Sequence, residues 1–506
     1  MIVHSMASYN PAFAANSRPA LKKRIIVCCD GTSQDELNLP RPPSLLHTTL
    51  GLFASSYTAE NRLREEQFIH QDTGRNKPDL PWYKQKLYNF HAGKVKPPSN
   101  ITLLARAIKK TAIVHGEKIP QIVFYQPGIG TTGLFFSRFF QETMAKDMGY
   151  KVRQAYSYIV QNYDEGDEIF LFGFSRGAFT ARSVAGFIEW AGVLQKEHMS
   201  HFDELWYEYK SEGENSNHTR AERFRVLDDP KRHFETRYRN VNIRCVGVFD
   251  TVAALGVPSL RHVDDEDVPE AAREAQAFFD VDLGEHVDYA FQALALDEHR
   301  RDFYPAVWKI LKPEYYKART KNIPQVVEQT WFTGAHSDIG GSYLIHGLSD
   351  VTLKWMVDNC DRNGLLEFDH KFLESWYQDS RPAEQYLHTP HDSSYSFGLR
   401  HVNRHPGLFP PSGEETEDKD YMYIRPSQQR LHQSVIERLR MEGLRVIEGR
   451  LHPEDTYLET CTTLKKWGLD MSVLIDRCSD SRGFIFPPPE VEKNPGGRAA
   501  TASDGV

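Results

Sequence analysis

The residues best suited to chemistry lie in the stretch Glu168-Ile-Phe-Leu-Phe-Gly173-Phe174-Ser175-Arg176-Gly177-Ala-Phe-Thr-Ala-Arg. An apolar run leads into Gly-Phe-Ser-Arg-Gly, and small residues follow, so a strand is expected to turn through Ser175 into a helix. A serine at the tip of such a turn needs neighbours without side chains two positions before and after it, because the strand and helix backbones nearly touch there. At the helix start the serine oxygen faces the positive end of the helix dipole, and the N–H of Arg176 can donate to an oxyanion. The plainer alternative is an N-cap serine between two packing glycines; the flanking strand and helix favour a nucleophile.

A serine hydroxyl is a weak nucleophile unless a base takes its proton and a third group orients that base. In enzymes built on this turn, an acid and then a histidine follow the serine, each at the end of a strand. Ile243-Arg-Cys-Val-Gly-Val-Phe249 is an apolar run ending in Asp250, the candidate acid. Gln329-Thr-Trp-Phe-Thr-Gly-Ala-His336-Ser-Asp338-Ile-Gly-Gly341 is a second such run, and it delivers an imidazole into a glycine-flanked loop. His336 is the candidate base. Asp250 could instead close its strand as an Asx turn. Asp338 and Asp297 compete for the acid role, although Asp338 suits a loop-fixing bond to nearby backbone and Asp297 a helix cap. Near the N-terminus, Val27-Cys28-Cys29-Asp30-Gly31-Thr32 ends another apolar run. There Gly31 or Thr32 could present a second N–H to an oxyanion, while Asp30 could orient the loop or open a plain Asp-Gly turn.

These residues need a scaffold whose strands all end on one edge. Short β-branched apolar runs alternate with helical-period segments through the first 360 residues, the pattern of a mostly parallel sheet flanked by helices. Strands are expected at 24–29, 121–126, 168–173, 243–249 and 329–333, with a weaker one at 67–70. Helices are expected at 100–114, 150–163, 176–194 and 348–360. Two long insertions, 195–240 and 258–287, have the length of caps or lids over a site. Beyond residue 360 the alternation fades into a mixed extension with one helix expected at 428–442. The chain divides into a disordered N-terminal segment (1–21), an α/β catalytic domain (22–360), an extension packed on it (361–486) and a disordered tail (487–506).

Composition narrows the function. A 40% hydrophobic fraction across 506 residues supports a substantial core and argues against a mainly disordered chain. With 61 basic against 69 acidic residues, no positive field is present to recruit nucleic acid. Six scattered cysteines are too few for a disulfide scaffold and read as reduced, buried thiols. No run approaches the roughly 18 apolar residues of a membrane span, and the N-terminus lacks a signal-peptide pattern, so a cytoplasmic protein is expected. The aromatic group Phe135, Phe136, Phe139 and Phe140 fits a packed core or a peripheral contact with acyl chains or a membrane surface. Gly128-Ile-Gly130-Thr-Thr-Gly133 follows a strand as a dinucleotide fingerprint would, but bulky residues come next and no acidic residue ends the following strand. The segment His262-Val-Asp-Asp-Glu-Asp267 reads as an exposed charged loop before it reads as a cation site. No metal and no cofactor is expected.

At these residues the chain resembles the α/β-hydrolases grouped with the type VI secretion phospholipase effectors. The resemblance rests on an ordered set: Val27-Cys-Cys-Asp30-Gly31-Thr32, Pro98-Ser-Asn100-Ile, Tyr125-Gln-Pro-Gly128-Ile-Gly130, Gly173-Phe-Ser175-Arg-Gly177-Ala-Phe, Val248-Phe-Asp250-Thr-Val and Gly334-Ala-His336-Ser-Asp338-Ile-Gly-Gly341. It spans roughly residues 22 to 360. It implies a Ser-Asp-His hydrolase whose catalytic positions fall on Ser175, Asp250 and His336, with a lipid or phospholipid ester as substrate. Two other readings remain open at this point: a hydrolase-fold binding protein without turnover, and a dinucleotide-dependent oxidoreductase using residues 128–133.

Overall fold

In the computed structural model the described residues are 22–31, 97–128, 138–214, 237–238, 241–252, 283–300, 303, 305–308, 310–311, 325–378, 387–391, 423–424, 429–461, 463–464 and 484–485. In chain order the elements are β1 (Arg24–Cys29), α1 (Asn100–Ala107), β2 (Thr111–Val114), β3 (Glu117–Gln126), α2 (Arg138–Asn162), β4 (Glu168–Phe174), α3 (Arg176–Ala191), β5 (Val193–Leu194), α4 (Phe202–Glu214), β6 (Arg237–Tyr238), β7 (Ile243–Phe249), β8 (Val287–Ala295), β9 (Ile310–Leu311), β10 (Val326–Phe332), α5 (His336–Gly340), α6 (Gly347–Arg362), α7 (His370–Tyr377), β11 (Tyr423–Ile424), β12 (Gln429–Leu431), α8 (Gln433–Ile447), α9 (Tyr457–Thr460) and β13 (Phe484–Ile485).

Nine strands form one sheet in the order β13-β12-β10-β8-β7-β4-β1-β3-β2. The pairs from β12 through to β3 are parallel, and β2 and β13 close the two ends antiparallel. This is the α/β architecture expected of the alternating pattern. β1 shows why its sequence is apolar throughout. Ile25, Val27 and Cys29 pack on one face with α2 and α3, while Ile26 and Cys28 pack on the other with α1 and α6. A central parallel strand covered on both faces has no polar side to spare.

Several expectations shift in detail. The helix expected over 100–114 ends at Ala107, and its last stretch is instead β2, joined to β3 by a two-residue turn at His115 and Gly116, φ 51° and 84°. Two positive φ values suit the tight hairpin whose twist matches its strands. The helix expected from 428 begins at Gln433, because residues 429–431 pair with β10. β8 was not expected at all, yet it lies between β7 and β10. Part of the first insertion joins the core: Phe202 and Leu205 of α4 are fully buried with Phe187 of α3. The expected strand at 67–70, the N-terminal segment, the tail and most of the second insertion lie outside the described residues. The segment after residue 360 adds β12 and β13 to the sheet and a third cluster in which Leu431, Val435 and Leu439 pack on Leu294 and Trp331. The five described cysteines are buried and unbridged; burial pushes the Cys29 thiol up to about 12.

Candidate active site

Parallel strands aligned in register end together, and that edge gathers the residues singled out above. Phe174 of β4 pairs with Phe249 of β7, Phe249 with Ala293 of β8, and Ala295 of β8 with Phe332 of β10. Ser175, Asp250 and the loop to His336 follow directly, in the crevice at the carboxyl ends of the strands where open α/β sheets bind ligands.

Ser175 takes φ 57°, ψ −124°, between β4 and α3. A non-glycine residue held there costs on the order of 1–3 kcal/mol. Its N–H donates to the carbonyl of Phe249 at 3.1 Å and its carbonyl accepts the N–H of Phe179 at 3.2 Å, which locks the turn from both sides. The two glycines are required by contact. A Cβ on Gly173 would lie 2.5 Å from the Cα of Ala178 and from the carbonyl oxygen of Gly177, and one on Gly177 would strike the carbonyl oxygens of Cys29 and Asp30. Strand and helix thus approach as the motif requires.

The three candidate residues meet. His336 Nε2 lies 2.8 Å from Ser175 Oγ, and His336 Nδ1 lies 2.6 Å from Asp250 Oδ2. All three are buried. The geometry suits a ring that donates from Nδ1 and accepts at Nε2, the tautomer a base needs. Asp250, at φ 40°, donates its N–H to Ala293 at 2.7 Å, and its Oδ1 accepts the N–H of Ala295 at 3.0 Å. Asp250 is therefore fixed by β8. Burial pulls the His336 imidazole below the usual histidine range; Asp250 opposes this through its hydrogen bond and charge, and the charge of Arg300 adds to the fall. Phe174 and Phe303 confine the ring at centroid distances of 4.8 and 4.7 Å.

The first loop differs from expectation. The N–H of Gly31 donates to Oδ1 of Asp30 at 2.6 Å, so that N–H is engaged by the adjacent carboxylate and does not point to an oxyanion. Gly31 instead borders Ser175: a Cβ there would sit 2.7 Å from the Phe174 ring and 3.3 Å from Ser175 Cβ. Asp30 orients the loop. Its Oδ2 accepts the hydroxyls of Ser99 at 2.6 Å, Thr102 at 2.9 Å and Tyr125 at 2.6 Å. Burial pushes this carboxyl upward, and the same hydrogen bonds oppose the rise. Thr32 lies outside the described residues, as do the glycine loop from residue 129 and the segment 262–267.

Asp338 and Asp297 both bind the loop that carries His336. Asp338 Oδ2 accepts the N–H of Ala335 at 3.0 Å, as a loop-fixing aspartate should. Asp297 caps no helix; its N–H donates to the Gly334 carbonyl at 3.0 Å and its Oδ2 accepts the Gly334 N–H at 2.7 Å, tying the end of β8 to the His336 loop. Asn100, quoted above only as part of a motif, donates from Nδ2 to the carbonyls of Ile339 at 2.9 Å and Ser349 at 2.8 Å, joining α1 to this loop and to α6. Glu298 was not foreseen. Its Oε2 accepts the His336 N–H at 3.3 Å, and it pairs with Arg300 through two contacts of 2.8 Å. Its position three residues beyond the end of β8 is the hint that the sequence offers.

Among the described residues no group of three or more His, Cys, Asp or Glu is placed to hold a metal ion, and no helix is long and apolar enough to cross a membrane. The chain is 30% identical over 161 residues to the uncharacterized protein YEL023C of Saccharomyces cerevisiae, an overlap of 28% of this chain and 23% of that protein. Among solved structures it is similar to the Tle1 effector bound to the VgrG spike from the type 6 secretion system, at 20% identity and TM-score 0.27, covering 67% of this chain and 56% of that one. It is also similar to an uncharacterized protein from Pseudomonas aeruginosa, at 14% identity and TM-score 0.33, covering 73% of this chain and 52% of the other. The chain thus spans about a quarter of its yeast relative and a little over half of each solved chain. Residues 86–359, more than half of the sequence and a stretch holding Ser175, Asp250 and His336, match the family described as T6SS phospholipase effector Tle1-like, catalytic domain, and the chain belongs to that family.

Proposed function

We propose that the protein is a serine hydrolase that cleaves a carboxylic ester of a lipid or phospholipid through Ser175, His336 and Asp250. The observation that carries the proposal is the continuous relay from Ser175 Oγ through His336 to Asp250, at 2.8 and 2.6 Å. Membership of a phospholipase effector family supports the substrate class.

In the proposed mechanism Ser175 Oγ attacks the ester carbonyl carbon as its proton passes to His336 Nε2, and Asp250 stabilises the imidazolium through Nδ1. The carbonyl oxygen becomes an oxyanion facing the start of α3. The N–H of Arg176, the first residue of α3, is the donor to it. The bond to the leaving alcohol breaks as His336 returns the proton to the alcohol oxygen, leaving the acyl group on Oγ. Water then attacks the acyl-enzyme, giving its proton to His336, and Ser175 leaves with that proton as the fatty acid departs. Burial of the ring favours its neutral form, the one that can accept the proton.

Labelling of the purified protein with a fluorescent fluorophosphonate, wild type beside Ser175→Ala, tests the reading, with the adduct mapped by mass. Labelling confined to Ser175, together with release of fatty acid from phospholipid vesicles, is the expected result. A well-folded wild type that neither labels nor releases fatty acid would sink it.

A further inference from the structure

Two buried carboxylates grip the His336 loop, and each is shared with the segment that follows residue 360. On one side Asp297 Oδ2 accepts both the N–H of Gly334 at 2.7 Å and the hydroxyl of Tyr457 at 2.6 Å. On the other, Asp338 Oδ2 accepts the N–H of Ala335 at 3.0 Å and the N–H of His391 at 2.9 Å, while Oδ1 meets His391 Nδ1 at 2.6 Å. Tyr457 is 3% exposed and the His391 ring stacks on Tyr343 at 3.8 Å, so both outer partners are themselves held.

One helix backs both grips. In α8, Arg438 donates from Nη1 to the carbonyl of His388 at 2.8 Å and from Nε to Glu442 Oε1 at 3.0 Å. Glu442 Oε2 accepts the N–H of Tyr457 at 2.5 Å, and the Arg438 guanidinium lies 4.5 Å from the centre of the Tyr457 ring. A carboxylate bonded on one side to a loop and on the other to a fixed side chain has its torsion set, and it fixes the loop in turn. Gly334 and Ala335 are the two residues that carry His336 to Ser175, and a displacement of about 1 Å at such a point costs on the order of a hundredfold in rate.

We infer that Tyr457 and His391 are positioning residues for the base, so that the segment beyond the family-matched stretch completes the reactive site. The inference rests on the triad reading above. Steady-state hydrolysis of a soluble short-chain ester, the rate of fluorophosphonate labelling and thermal unfolding are measured for wild type, Tyr457→Phe and His391→Gln. Tyr457→Phe keeps the ring and removes only the hydroxyl. About a tenfold fall in kcat and in labelling rate is expected for each, with KM nearly unchanged, and hydrogen exchange across residues 330–340 is expected to quicken. Wild-type kcat in both folded variants overturns the inference, even if thermal stability falls, since that leaves a structural role alone. If Tyr457→Phe does not fold, His391→Gln decides in the same way. A folded wild type that does not label removes the triad reading and this inference together, whereas a labelled wild type matched by its variants removes only the inference.

Discussion

Ser175 and His336, the proposed nucleophile and base, sit 2.8 Å apart, yet they are held by different physics. Ser175 is fixed by backbone crowding: Gly173 and Gly177 let a strand, a helix and the end of β1 come within contact, and the chain has no room to move. His336 is fixed by side chains, with the distant Asp297 and Glu298 and the nearby Asp338 each accepting an N–H of its loop. Crowding is local and rigid. Hydrogen-bonded suspension is adjustable, and it depends on partners that arrive from elsewhere in the chain.

Predictions that probe this contrast start with the largest effect. Removing either end of the relay, by Ser175→Ala or His336→Ala, is expected to lower ester turnover by at least about a thousandfold, because such residues act as a unit. Circular dichroism and thermal unfolding should match wild type, and residual turnover within tenfold would break the assignment. Next come the glycines. Gly177→Ala is expected to destabilise the protein by about 3 kcal/mol or prevent folding, since backbone oxygens cannot yield to the new methyl. Gly340→Ala would meet the Phe174 ring, which can move but packs against the His336 ring, so it is expected to cost activity more than stability. Equal losses of stability on urea unfolding would erase the distinction between crowded nucleophile and suspended base.

A smaller effect separates strain from chemistry. Ser175→Gly and Ser175→Ala both lose the hydroxyl, but glycine tolerates φ 57°, so the glycine variant is expected to be the more stable by about 1 kcal/mol. An alanine variant at least as stable would show that the turn is unstrained. The gentlest probe is pH. Burial lowers the His336 pKa, so the base stays neutral until the pH falls below about 6.5, the ordinary histidine value. The acid limb of kcat/KM is expected below that value, with a plateau through neutral pH. The same depression means that the ring's contribution to stability is complete above about 6.5 and is lost as pH falls toward the folded value. A limb above 7 would contradict the burial argument.

Legibility in the sequence follows the same division. Ser175 and its turn could be read because contact geometry imposes residue types at fixed spacing, and β7 could be read because Ile243–Phe249 is β-branched and apolar. β8 escaped because Val287–Ala295 carries Asp288, Gln292 and three alanines, residues of low strand preference, two of which are buried polar groups answered only in three dimensions. Gln292, for example, meets the hydroxyl of Thr251 at 3.0 Å and the carbonyl of Ala306 at 3.0 Å. The β2–β3 hairpin was hidden by a helical period running on by chance through Lys109 and Lys110, although His115-Gly116 between two β-branched runs is a turn signal. Asp338 could be read as a loop-fixing residue because its partner, Ala335, is three positions away, but the support from Asp297 and Glu298 had no local signature, since their partners lie 37 and 38 positions along the chain.

The hydrogen bond from Tyr457 to Asp297 joins residues 160 positions apart. At translation rates of about 5–20 residues per second, Asp297 leaves the peptidyl-transferase centre on the order of ten to thirty seconds before its partner is made. Ser175 can be seated once β1, β4, α3 and β7 have emerged, while the His336 loop waits for residue 457. An emerging polypeptide can therefore hold Ser175 in its turn before the His336 loop has its Tyr457 support, and on the triad reading proposed above a fragment ending before residue 457 is expected to be held short of reactivity.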